Sequence, residues 1–298
     1  MRSLGHAWSG AAVGALVALA LSGCAPSQSA AGEPGAGSSA GSSGASAPVA
    51  ADSGSPVTVR TISSTSGSVR GGTRLTVSGS GLSLIRTVSV GGTAATIGTQ
   101  TSTKVTARVP AAAGFQPGTA AVTLKTAEGT TVGKGTFRYR VVDGVDRQLR
   151  YVLTYWKNYN PDYEALDDND CVDFASQSLL QRGWTQQDDW VHAENVLASG
   201  AAWRSSTAFR DFMSQHPELG TALTDSERDQ VKLGDIAQFD WDGSGDRDHT
   251  GVVTRIVKQD GHIRIYFAGH TNDSAYRSVD TAITKDHPGG TAYYWSLK

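Results

Sequence analysis

The chain has 298 residues, 39% of them hydrophobic and 18% charged, with 26 basic against 28 acidic side chains. That balance excludes a nucleic-acid binder working by bulk phosphate neutralisation. No apolar run approaches the ~20 residues of a spanning helix, and the two cysteines, Cys24 and Cys171, exclude a disulfide scaffold. At roughly 150 residues per domain the length allows two domains.

Arg2 and His6 precede an apolar run from Ala11 to Leu21, followed by Ser22, Gly23 and Cys24. A short basic start, an apolar centre and small residues at the end predict a secretory leader over residues 1–23. The ending Leu21-Ser22-Gly23-Cys24 resembles the bacterial lipobox, which implies lipidation of Cys24 as the mature N-terminus. Two or three acyl chains on one residue anchor a protein stably, whereas one does not. The resemblance therefore implies a lipid anchor (palmitate or a similar acyl chain) holding the chain to the extracytoplasmic face of the cell membrane. Residues 25–55 follow as a tether: 27 of these 31 are Ala, Gly, Ser or Pro, too little apolar area to offset ordering entropy.

From Pro56 to about residue 141 the chain alternates with period two. Thr73–Val77, Thr87–Val90, Lys104–Val109 and Ala121–Leu124 are rich in β-branched residues, and Gly71-Gly72 and Gly91-Gly92 punctuate them. This predicts an all-β sandwich. No cysteine, histidine or tryptophan occurs in it, which argues against chemistry there. The pieces GGTRLTVSGSGL, VSVGGTAATI, VTARVPAAAG and GTFRYR resemble the IPT/TIG immunoglobulin-like family. Such modules serve as spacers or as binding surfaces, and the residues do not separate the two.

Residues 143–298 carry six of the seven tryptophans. Val145, Leu149, Val152, Trp156 and Tyr159 fall at helical spacing. A second helix is predicted after Asn169 or Asp170 as N-cap, with Val172, Ala175 and Leu179 on one face and Gly183 as the stop. A third runs from about Ser205 to His216. Strands are predicted at Ile236–Phe239, Thr250–Val257, His262–Phe267 and Tyr293–Leu297. Helices first and strands afterwards indicate an α+β domain.

With Cys24 lipidated, Cys171 has no partner, and a lone thiol is a small buried hydrophobe or a reactive group. In the first turn of a helix the macrodipole favours its thiolate, while Asp167, Asp168, Asp170 and Asp173 oppose it. A cationic imidazole would be needed beside it. His6 leaves with the leader, and His192, His216 and His287 sit in surface-like contexts. His249, His262 and His270 belong to one strand pair about Asp260-Gly261. A two-residue turn pairs positions whose numbers sum to 521, so His249, His270 and Asn272 are predicted on one face, with His262 at the turn. The opposite face is the more apolar, so the histidine face needs a further covering layer.

Helix-borne cysteine, strand-borne histidine and a polar residue on the next strand follow the papain-like order. The pieces NDCVDFASQSLLQRGW, LGDIAQFDWDGSGDRDHTGVVTRI and YFAGHTND resemble the bacterial amidase-domain family related to NlpC-type and CHAP cysteine peptidases. The resemblance implies a papain-like fold, Cys171 as nucleophile, His249 as base and His270 as the residue orienting that base. Asn272 competes with His270 for the third place.

In DWDGSGDRDH, Asp240, Asp242, Ser244, Gly245 and Asp248 match positions 1, 3, 5, 6 and 9 of a calcium loop, whereas position 12 is Gly251 rather than Glu. A polar hairpin turn explains the same residues. No cofactor and no metal are expected for the reaction. The functional expectation is an anchored, monomeric thiol hydrolase acting on cell-wall peptide (peptidoglycan) or another extracellular amide, with no nucleic-acid partner. The alternative is a catalytically silent surface protein that binds such ligands.

Overall fold

Alternation of β-branched and small polar residues yields nine strands in the first part of the computed structural model, which describes residues 57–166 and 169–298. The predicted leader, Cys24 and the tether lie outside the described residues. The strands are β1 (Thr58–Ser63), β2 (Ser66–Ser68), β3 (Arg74–Ser80), β4 (Ile85–Val90), β5 (Thr93–Ala94), β6 (Thr96–Gln100), β7 (Lys104–Arg108), β8 (Gly118–Thr126) and β9 (Thr131–Arg140). They form two sheets, ordered β1-β3-β7-β6 and β2-β9-β8-β4-β5. Leu75, Val77, Val88, Val105, Val122, Leu124 and Phe137 are fully buried between them, each contributing roughly 1.5–3 kcal/mol by leaving water. At Gly71 the backbone turns with φ +77°, and a Cβ there would meet the Pro110 carbonyl carbon at 2.4 Å. Only glycine fits that turn.

The second part is α+β. Helix α1 (Gly144–Tyr155) opens with the Asp143 side chain accepting from the Asp146 backbone N–H, a standard N-cap. Helix α2 (Cys171–Arg182) ends at Gly183 with φ 110°. Helices α3 (Ala201–Arg204) and α4 (Ser206–Gln215) follow. The strands β10 (Gly220–Thr224), β11 (Ile236–Asp240), β12 (His249–Gln259), β13 (His262–Gly269), β14 (Ser274–Ser278) and β15 (Thr291–Leu297) make an antiparallel sheet ordered β10-β15-β11-β12-β13-β14. One face carries Val252, Ala268, Trp295 and Leu297 against Phe174, Leu179, Trp203 and Phe209 of the helices. The other face carries Phe239, Val253, Ile265, Phe267 and Tyr294, covered by Val279 and Ala282.

The two parts share a core. Leu149 of α1 is fully buried among the sandwich residues, with Val145, Leu153 and Leu233 beside it. Asp146, also fully buried, accepts from Arg70 Nε at 2.6 Å, Ser68 Oγ at 2.7 Å and the Val142 backbone N–H at 2.9 Å. Arg70 reaches Asp143 as well. A module joined only through a flexible linker would leave these groups in water.

The hairpin between β12 and β13 decides where the histidines point. Asp260 and Gly261 both have positive φ, 52° and 76°, as a two-residue hairpin turn requires. Pairing begins as expected with Gln259 opposite His262 and continues to Arg255 opposite Tyr266. Thr254 is then an extra residue, because the next pairs are Val253 with Phe267 and Val252 with Ala268. Its Oγ1 donates to the Ala275 carbonyl at 2.7 Å. Since side chains alternate with period two, one inserted residue exchanges the faces of everything beyond it.

Candidate active site

Cys171 is the first residue of α2 and is 1% exposed. Its Sγ lies 3.5 Å from Ser206 Oγ, at the first residue of α4, and meets the backbone N–H groups of Thr250 and Val172. Thr250 Oγ1 donates to Ser206 Oγ at 2.9 Å, and Gln238 Nε2 donates to Thr250 Oγ1 and to the Ser206 carbonyl. Trp295 Nε1 completes the chain by donating to Gln238 Oε1 at 2.9 Å. Cys171 thus sits at the end of a buried polar network on the helix-covered face. Burial pushes its thiol pKa up, outweighing the Ser206 and backbone hydrogen bonds that pull it down. The expectation that the helix start would favour the thiolate is reversed here, because desolvation dominates.

His270 lies on the same face, following β13. Its ring is sandwiched between Tyr159, with centroids 3.6 Å apart, and Phe174, 3.8 Å apart. Nδ1 bonds to Asp170 Oδ2, and Nε2 donates to the Tyr155 carbonyl at 2.9 Å. Both nitrogens face acceptors, so the ring is held at both edges as well as on both faces. Asp170 is the N-cap of α2, yet its side chain caps nothing in the helix. Instead Oδ1 accepts from the Leu166 backbone at 2.7 Å and Oδ2 holds His270.

His249 is not brought to Cys171. It opens β12 opposite Phe239 and packs among Phe239, Trp241 and Phe267 on the far face of the sheet. Burial, with Arg277 and His287 nearby, lowers its pKa to about 3, so it is a neutral core imidazole. The cause of this correction is the bulge at Thr254, which places His249 and His270 on opposite faces. Asn272 is exposed in the turn after β13 with φ 137°. Ser206, Thr250 and Gln238 are site residues to which the sequence pattern assigns no role, and Asp170, expected as an N-cap candidate, holds His270 instead. Asp170 alone offers a signal, being adjacent to the cysteine.

The loop between β11 and β12 brings Asp240, Asp242, Asp246 and Asp248 together, with one oxygen of each within 4.8 Å of the others. These are the side chains able to take a hard cation. Asp240 accepts from the Gly243 and Gly245 backbone, Asp242 from Ser244, and Asp248 from Trp241, so all three close the turn. Gly251, position 12 of the calcium count, lies inside β12, where a Cβ would meet Phe267 Cδ2 at 2.4 Å. No twelfth-position ligand can stand there.

Residues 144–294, half of the chain, match the family described as "Putative amidase domain", and the chain belongs to that family. Residues 56–139 match the IPT/TIG domain. An uncharacterized protein of Bacillus subtilis, YhbB, is 25% identical over 179 residues, 55% of this chain and 52% of that protein. The chain therefore spans about half the length of this curated relative. Among solved structures, an auxiliary nutrient binding protein from Bacteroides thetaiotaomicron is 24% identical over 29% of this chain and 21% of its own, with a TM-score of 0.22. A glucan-utilisation-locus protein of Bacteroides ovatus in complex with a heptasaccharide is 11% identical, covering 78% of this chain and 48% of its own, also at 0.22. Among the described residues no helix is long and apolar enough to cross a membrane.

Proposed function

We propose that residues 144–294 hydrolyse an amide bond with Cys171 as nucleophile. The observation that supports this most is the amidase-family match together with a cysteine at the start of α2, one residue from the His270–Asp170 pair. In this reading His270, held by Asp170 and its aromatic sandwich, is the imidazole that serves Cys171. Its Nε2 must release the Tyr155 carbonyl to take the Cys171 thiol proton and return it to the leaving amine. The first N–H groups of α2, which have no helical partner, lie where an oxyanion would form. The substrate class is cell-wall peptide or a related extracellular amide, reached from a lipid anchor at Cys24, and the fold is papain-like. The test is incubation of purified cell wall with the wild-type chain and with Cys171→Ala, followed by mass spectrometry for new amine termini. New termini from the wild type alone are the expected result.

A second reading, a silent binding domain, is favoured by the burial of Cys171. Cell wall that retains the protein on sedimentation but gains no termini would decide for it.

A further inference from the structure

On the face that holds Cys171, a small cavity of about 110 Å³ opens between β10, β15 and the loop before β12. Its floor is Ala222, Gln238, Tyr293 and Trp295, and Arg210 and Arg247 border it. Gln238 belongs to both places: it lines the cavity and bonds to Ser206, which contacts the Cys171 sulfur. The space equals about four waters at roughly 30 Å³ each, enough for a carboxylate on a short apolar stem.

The two arginines differ in what they already hold. Arg210 pairs with Asp211 at 2.7 Å and donates to the Gly245 carbonyl. The Arg247 guanidinium bonds only to main-chain carbonyls, of Gly245 and Asp246, and has no carboxylate within salt-bridge distance among the described residues. Its guanidinium carbon sits 3.6 Å above the centre of the Tyr293 ring. Its Nε is buried and has no hydrogen-bond partner. A buried donor on a fixed cation, left without an acceptor, is costly unless a ligand completes it. The planar guanidinium stacked on an aromatic face suits a carboxylate.

We infer that this cavity is the subsite for a free carboxylate on the substrate, so that the scissile amide belongs to an acylated amino acid or peptide bearing that group. The inference rests on the amide-hydrolase reading. Its test does not. The full chain carrying Cys171→Ala, which keeps the cavity, is titrated with N-acetylalanine, its carboxamide and inorganic phosphate. Calorimetric heat reports binding. The acid is expected to bind at least about tenfold more tightly than the carboxamide, the worth of one charge-assisted hydrogen bond. Arg247→Gln is expected to erase that preference, with an unchanged circular dichroism spectrum. Equal affinity for acid and carboxamide, no binding of either, or tighter binding of phosphate than of the acid overturns the subsite, and this comparison needs no Arg247 variant. Failure of the wild type to cleave any amide would defeat the hydrolase reading, while the titration would still decide whether the cavity takes a carboxylate.

Discussion

At the residue scale, three buried ionisable groups titrate in directions that give the domain a distinctive pH response. Burial pushes Asp173 up to about 7 despite hydrogen bonds from Trp203 and Gln177, and Asp235 up to about 6. A carboxyl raised in the folded state contributes stability that is full below its unfolded value, near 3.8, and is lost as pH rises through the folded one. His249 runs the other way: lowered to about 3 from 6.5, it costs stability as pH falls below 6.5. Melting curves of the wild type, Asp173→Asn and His249→Phe between pH 4 and 8 separate the two. Asp173→Asn is expected to gain on the wild type as pH rises towards 7, and His249→Phe to gain as pH falls below 6.5. Curves that stay parallel to the wild type would refute these environments. Because burial pushes the Cys171 thiol up, labelling at neutral pH separates the two readings: a thiol-directed probe is expected to react faster than with free cysteine where the site activates Cys171, and slower labelling, relieved by denaturant, would decide for the silent domain.

At the level of elements, much of the α+β part was legible. Helix α2 begins and ends where Asp170 and Gly183 imply, and the turn Asp260-Gly261 sets the starting register. What could not be read was Thr254. A β-bulge leaves no mark in an alternating pattern such as Thr250–Val257, since the run stays rich in β-branched residues on both sides of the extra one. That single insertion sends His249 to the apolar face and leaves His270 with the helices. Gly251 guards the same strand. Its position against Phe267 and the Ala268 carbonyl at 3.0 Å leaves no room for a methyl. Gly251→Ala is therefore expected to destabilise by roughly 1–3 kcal/mol, read as a lower denaturant midpoint with an unchanged slope. A stability equal to wild type would mean the strand is packed less tightly than described.

Across the whole molecule, the sandwich and the amidase domain are joined by a common core rather than by a linker. The composition shifts near residue 142, yet Leu149 and Asp146, beyond that shift, pack against the sandwich. Nothing in local pattern distinguishes an apolar helix face that packs on its own domain from one that packs on its neighbour. Arg70→Met leaves Asp146, whose side chain is fully buried, without its cation. The expected cost is roughly 3 kcal/mol, moderated because Arg70 is 29% exposed. In calorimetry the wild type is expected to unfold residues 57–298 in one transition, and Arg70→Met in two. Two transitions in the wild type would show that the domains are thermodynamically separate.

The proposal that His270, on the face that carries Cys171, serves the reaction is tested most directly by turnover. Amine release from cell wall is measured for the wild type, His270→Ala and His249→Phe at matched concentrations of folded protein. The account predicts a loss of at least about 100-fold for His270→Ala, the lower range for a proton-transfer group. It predicts near wild-type turnover for His249→Phe, whose ring replaces the imidazole in an apolar pocket. Natively folded His249→Phe without activity, beside an active His270→Ala, would contradict it.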